Sequence, residues 1–260
     1  MNSRIIHQYS TIHALMSGVF DGMFTISEIS QGGSFGIGYL HALTGEMIAL
    51  DDTFFEIQGA GNVRRFCDHE QLPFAQLTYF NPNDQFPVSN INKKSLYSEL
   101  STQVNIDNIF AAIKIEGNFK KIWFRRINCQ EKPFIKAVTE QSEETLHDIS
   151  GVMVGFWTPD IFHGVSIAEF HIHFIDKTRT NGGHVLDFEL HNGLLSYELK
   201  QDIKIRLPDN SEYLNADLKI NNLDEVIINP VYKYLLFVMQ HIGYSDAGNN
   251  EQHVQIFSGA

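Results

Sequence analysis

Cysteine is nearly absent from this 260-residue chain: Cys67 and Cys129 are the only two, and neither belongs to a CxxC pair. Two thiols cannot build a disulfide framework, so stability has to come from a packed core. Basic residues are also scarce. Nineteen Lys and Arg stand against 31 Asp and Glu, a formal net charge of −12. With no basic stripe to offset that sign, nucleic acid is excluded as the expected partner. Long apolar runs are missing too. The longest, residues 231–238 and 152–157, fall far short of the roughly 20 residues that span a bilayer, so no membrane partner is expected. Near the N-terminus Arg4-Ile5-Ile6 runs into His7-Gln8-Tyr9-Ser10, which breaks any signal-peptide core. The expectation is a soluble, cytoplasmic protein.

What remains is enough for a core. Hydrophobic residues make up 43% and charged residues 19% of the chain, outside the range of disordered sequences. Ser10-Thr11 can cap a helix carrying Ile12, Leu15, Met16 and Val19, with Gly22 as its end, and a second helical turn runs over residues 25–29. The period then changes to short strands over residues 35–40, 46–50 and 53–58, separated by turn residues. A helix is predicted near residues 95–100. Gly117-Asn118 reads as a hairpin turn between strands 110–116 and 120–128. The acidic stretch 139–148 reads as a solvated connector. Beyond it lie strand-like segments 151–157, 169–175, 184–190 and 194–199, with Gly182-Gly183 and Asn192-Gly193 as turns, then helical segments 223–228 and 232–241. The fold class is α+β, with antiparallel or mixed sheets and few helices. Two domains are expected: residues 1–138, an α+β sheet unit, and residues 149–242, a β-rich metal-binding unit, followed by a polar tail, 243–260.

Histidine is the unusual count. Five of 12 (His163, His171, His173, His184 and His191) fall within 29 residues, where even spacing would place about one. Within Glu169-Phe170-His171-Ile172-His173-Phe174-Ile175, strand alternation sends Phe170, Ile172 and Phe174 to one face and Glu169, His171 and His173 to the other. The phenylalanine face belongs in a core. A turn over residues 176–183 returns the chain so that His184 begins the next strand. If residues 175 and 184 pair, His184 lies diagonally beside His173; a register shifted by two puts them directly opposite, still on one face. Three imidazoles on a rigid hairpin match a catalytic three-His zinc site with positions left for water or substrate. His163 and His191 fall outside the pattern, as a loop and a turn residue.

These residues resemble a known family. Phe156-Trp157-Thr158-Pro159, His171-Ile172-His173-Phe174 and Gly182-Gly183-His184-Val185-Leu186-Asp187-Phe188 are similar to the metal-binding core of the α-acetolactate decarboxylases. Gly18-Val19-Phe20-Asp21-Gly22, Gly36-Ile37-Gly38, Thr44-Gly45-Glu46-Met47, Pro73-Phe74 and Gln130-Glu131-Lys132-Pro133-Phe134 follow in that family's order, over roughly residues 10–228. The resemblance implies conversion of 2-acetolactate to acetoin and CO2 by a homodimeric, two-domain α+β enzyme. It implies His171, His173 and His184 as Zn²⁺ ligands, with another divalent transition metal as the alternative. It further implies Glu46 and Arg125 as catalytic and substrate-binding residues.

Two positions depart from the family pattern. Tyr39 follows Gly38 where the family has Thr, and Asn229-Pro230 arrives where a terminal glutamate folds back, leaving Glu225, Glu251 or neither as the second acid. Two other readings compete: a cupin-like metalloenzyme, with Asp176 as its acid, and a non-catalytic three-His binding or regulatory relative.

Overall fold

The computed structural model describes residues 4–126 and 142–218. The helical segments expected at 223–228 and 232–241, the tail 243–260, Glu225, Glu251 and the 130–134 motif lie outside the described residues.

Two sheets face each other. The first joins β1 (Ile5–Tyr9), β3 (Phe35–Tyr39), β4 (Gly45–Leu50), β5 (Thr53–Gln58), β6 (Val63–Arg65) and β8 (Phe74–Thr78). A late strand, β14 (Asp202–Arg206), adds to its edge in parallel with β1, giving the order β14-β1-β8-β3-β4-β5-β6. A small two-stranded sheet pairs β2 (Phe24–Thr25) with β7 (Gln71–Leu72). The second large sheet comprises β9 (Asp84–Ser89), β10 (Phe110–Arg126), β11 (Ser142–Thr158), β12 (Glu169–Asp176) and β13 (Gly182–Lys200). Because β10 pairs with both β11 and β13, and β12 also pairs with both, these four strands close into a ring. Closure removes the free edges that strands of 17 and 19 residues would otherwise expose.

Alternation along the ring strands feeds two cores. Ile113, Ile115, Phe124, Met153, Ile172 and Phe174 pack in one cluster with Leu96 and Leu100 of helix α3 (Lys93–Ser101). Their neighbours Ala112, Val152, Val154, Phe156 and Ile175 point the other way, against Ile37, Ile48 and Ile57 of the first sheet. Each fully buried side chain of this size is worth roughly 1.5–3 kcal/mol, so the inter-sheet layer is a strong fastening.

The early helices follow their capping residues. Thr11 caps α1 (Ile12–Met16), which stops well short of Gly22 because Gly18 already turns left-handed at φ +94°. Thr25 and Glu28 form a reciprocal capping box on α2 (Ile26–Ile29), and Asn92 with Ser95 does the same for α3. A last short helix, α4, is Ser211–Asn215.

Four sequence expectations are corrected. Gly182-Gly183 is no turn: both residues open β13, paired with Ile175 and Phe174 of β12. Gly117-Asn118 is no turn: it lies inside β10, where Gly117 faces Gly151 and Gly193 on its two neighbours and Asn118 faces Ser150 and Asn192. Asn192-Gly193 lies likewise inside β13. These glycines allow close approach of backbones, since a Cβ on Gly117 would sit 2.3 Å from the Asn192 carbonyl oxygen. The asparagines link across the strands, Asn118 Nδ2 donating to Asn192 Oδ1 at 3.0 Å. Pairing on both sides overrides a local turn preference. The acidic segment is not a solvated connector either, since from Ser142 onward it is strand, with Glu144 ion-paired to Arg126 and Glu143 accepting from Trp123 Nε1. Apart from β14, which returns to the first sheet, the two large sheets divide the chain near residue 80, and β10 shares a sheet with β11–β13. Among the described residues no helix is long and apolar enough to cross a membrane.

Candidate metal centre and active site

The imidazole face of β12 is turned toward the first sheet, so both of its faces are covered. His171 and His173 are 1% and 0% exposed. His184, half-buried on β13, lies directly opposite His173, which is the register shifted by two from the 175–184 pairing. The three rings form a triangle with centroids 5.1–5.4 Å apart. One potential ligand atom from each lies within 4.8 Å of the others, so the group can hold a metal ion.

The electronic state of the rings fits that use. Burial lowers the pKa of all three, His171 and His184 well below the ordinary value and His173 to about 3, so each is a neutral imidazole with a lone pair. His173 Nδ1 lies 3.1 Å from the Met47 carbonyl oxygen. A carbonyl only accepts, so Nδ1 carries the proton and the lone pair sits on Nε2. His171 Nδ1, His173 Nε2 and His184 Nδ1 are buried without a hydrogen-bond partner. Three such unpartnered buried nitrogens in one small space are costly unless something binds them, which matches a metal site.

The other predicted residues converge on the same space through strand pairing. Tyr39 and Glu46 are cross-strand partners on β3 and β4, and Arg125 and His184 are partners on β10 and β13. Glu46 is 1% exposed, and neither carboxylate oxygen has a well-formed hydrogen bond. Burial pushes its pKa up to about 8, against the opposing pull of Arg125, the His184 backbone N–H and Arg126. The Arg125 charge acts on Glu46, Tyr39 and all three imidazoles, and its Nε is buried without a hydrogen-bond partner. Alternation admits only one of the two adjacent arginines. Arg126 is spent elsewhere, donating to the Gly182 carbonyl at 2.9 Å, pairing with Glu144 and lying over the Phe124 ring.

Tyr39 occupies the position where the family pattern has a small hydroxyl. Its hydroxyl lies 3.3 Å from His171 Nε2 and its ring stacks on that imidazole, so it closes one side of the site. His163 and His191 do not join the cluster: His163 follows a 3-10 turn and bridges to Ser166, and His191 is exposed on β13. Sequence reasoning missed the Met47 carbonyl, because a backbone acceptor leaves no residue-type signal.

Fold and site together define an α+β enzyme built around a buried three-imidazole centre. A family model described as alpha-acetolactate decarboxylase matches residues 6–220. An alpha-acetolactate decarboxylase of Methanosarcina mazei is 36% identical over 223 residues, spanning 84% of this chain and 77% of that protein. That of Methylococcus capsulatus is 37% identical, over 85% and 86% of the two chains. The crystal structure of alpha-acetolactate decarboxylase from Bacillus subtilis strain 168 superposes with a TM-score of 0.83 at 33% identity, covering 86% of this chain and 97% of that one. The chain belongs to the α-acetolactate decarboxylase family and is a carboxy-lyase acting on acetolactate.

Proposed function

We propose that the enzyme uses Zn²⁺ held by His171, His173 and His184, with Arg125 and Glu46 acting on the substrate. The observation that carries this reading is the set of three neutral imidazoles with buried, unpartnered ring nitrogens. A three-His donor set with open positions suits zinc, and imidazole also suits other divalent transition metals. When bound, such an ion supplies Lewis acidity for the negative charge that builds on the keto and hydroxyl oxygens.

In 2-acetolactate the bond between C2 and the carboxylate breaks, CO2 leaves, and the bonding pair moves into the neighbouring ketone. Arg125 orients the acid and adds positive charge where the anion develops, a role suited to its planar donor fork. Glu46 holds a proton on its buried carboxyl and delivers it to C2, giving acetoin and returning as the carboxylate. A proton delivered from one side gives a single-handed product. Tyr39, stacked on His171, keeps bulk water from that side of the site.

Residues before 138 furnish the acid and the guanidinium, and those after 149 furnish the imidazoles. A homodimer belongs to the same proposal: exposed Leu207 and Leu214 offer it apolar surface, and light scattering measures it. So does a cytoplasmic location, in keeping with the free thiol of exposed Cys67. The test is acetoin formation from racemic acetolactate. Activity lost on chelation and restored by zinc is expected; full turnover in metal-free protein overturns the metal assignment.

A further inference from the structure

His173 is oriented by a backbone carbonyl, but the polar neighbour of His171 is a side chain. The Tyr39 hydroxyl lies 3.3 Å from His171 Nε2, and the phenol ring stacks on that imidazole with 25° between the planes. The same ring meets His173 edge-on at 5.9 Å. Tyr39 is itself firmly held. Strand pairing sets it opposite Glu46 on β4 and opposite Phe74 on β8. The Phe74 ring lies against it, and Ile12, Leu15, Phe20 and Leu43 complete the buried cluster that it belongs to. A phenol packed in this way presents its oxygen to His171 from a fixed point.

We infer that Tyr39 is a positioning residue for the metal centre: its oxygen accepts the Nε2 proton of His171 and leaves the lone pair of that ring on Nδ1. The inference rests on the metal reading above and names the ligand atoms within it. A ligating histidine binds through one ring nitrogen and donates the proton on the other to an acceptor. For His171 the Nδ1 side has no hydrogen-bond partner, whereas the Nε2 side has the Tyr39 oxygen. Ligation through Nε2 would bury an N–H on Nδ1 with nothing to receive it, a costly arrangement. Ligation through Nδ1 leaves neither nitrogen unpaired. His173 obeys the same rule with its nitrogens exchanged, because the Met47 carbonyl takes the Nδ1 proton and leaves Nε2 unpartnered. His184 Nδ1 is the third unpartnered nitrogen. The ligand set is therefore His171 Nδ1, His173 Nε2 and His184 Nδ1. In such a mixed set each tautomer has to be fixed by its own acceptor, a carbonyl for His173 and a phenol for His171. A hydroxyl accepts and donates at once, so the Tyr39 proton stays available to an oxygen of the bound acid.

The experiment is long-range 1H–15N correlation NMR on zinc-loaded wild type carrying 15N in its histidine rings, which tells protonated from metal-bound nitrogen within each ring. Two rings bound through Nδ1 and one through Nε2 are expected, with His171 among the former and protonated at Nε2. Tyr39→Phe keeps the ring and its packing but removes the acceptor. Its zinc affinity, measured by chelator competition, is expected to fall roughly 10–100-fold, the range for losing such a partner. The Nε2 proton of His171 should also lose its protection from solvent exchange, which a purely structural role for Tyr39 would not alter. Zinc bound through Nε2 of His171 in the wild type overturns the proposal, and so does unchanged zinc affinity in Tyr39→Phe. If Tyr39→Phe does not fold, the wild-type spectrum decides by itself. A wild type that binds neither zinc nor another divalent transition metal overturns the metal reading itself, whereas zinc held by the three rings through other nitrogens overturns the role of Tyr39 alone.

Discussion

The backbone carbonyl of Met47, on a strand of one sheet, accepts the Nδ1 proton of His173, on a strand of the other, at 3.1 Å. One hydrogen bond thus sets both the tautomer and the ring plane of the most deeply buried imidazole. With that orientation fixed, His173→Ala removes a proposed zinc ligand that neighbouring side chains cannot replace. The variant is expected to fold, to retain well under one equivalent of zinc by elemental analysis, and to release no CO2. Stoichiometric zinc in the variant would show that the other groups suffice.

Under the proposed mechanism, a change at Glu46 separates the acid from the metal. Glu46→Gln keeps the shape and burial of the side chain but has no proton to transfer. Zinc content should stay at the wild-type level while turnover falls by roughly 10²–10⁴-fold, the range for a positioned acid or base. Full turnover would assign the proton to another group.

Gly155 holds β11 and β12 together directly behind His171 and His173. It pairs with Ile172, and a Cβ there would sit 2.2 Å from the His171 carbonyl oxygen and 2.8 Å from the Ile172 Cα. Both neighbours are backbone and cannot swing aside. Gly155→Ala should destabilise the fold by about 1–3 kcal/mol and weaken zinc binding by displacing β12. An unchanged melting temperature and zinc affinity would mean that the strands separate freely.

Glu70 sets an acid limb in stability. Hydrogen bonding from the Arg64 guanidinium, aided by the Cys67 backbone N–H, holds its pKa near 2 against burial that pushes the other way. The native state thus favours the ionised carboxylate, so this stabilisation is full above the unfolded-state value near 4.5 and is lost as pH falls toward 2. Glu70→Gln should lower the melting temperature at pH 6 and converge on wild type as pH drops through that window. Because Arg64 is 44% exposed, the difference should also shrink in high salt. A gap that persists unchanged at pH 2 would point to packing rather than charge.

The legible parts of this protein were those governed by local periodicity. Alternation through residues 169–175 separated the Phe174 face from the His173 face, and the cap residue Thr11 marked a helix start. The turn at Asp51-Asp52 falls between β4 and β5 as the sequence pattern predicts. Local signals failed where partners distant in sequence decide the outcome. Gly117-Asn118 and Asn192-Gly193 carry strong turn chemistry, yet each stands opposite the other across paired strands, and continuous pairing outweighs the turn. The choice between two imidazole registers was likewise open locally and settled by the ladder. Glu46 and Arg125 were readable only through family resemblance, since a lone acid and one of two adjacent arginines have no pattern of their own.

The ring of four strands has a temporal consequence. Tyr39 meets His171 across 132 residues of chain, and Met47 meets His173 across 126. No nascent fragment can display the finished imidazole triangle, because its orienting strand is made early and its ligand strands late. Contacts this distant in sequence are the slow ones to form. If the proposed metal is held there, its acquisition reports the docking of the two sheets, and a partly folded chain is spared from sequestering metal before it can use it.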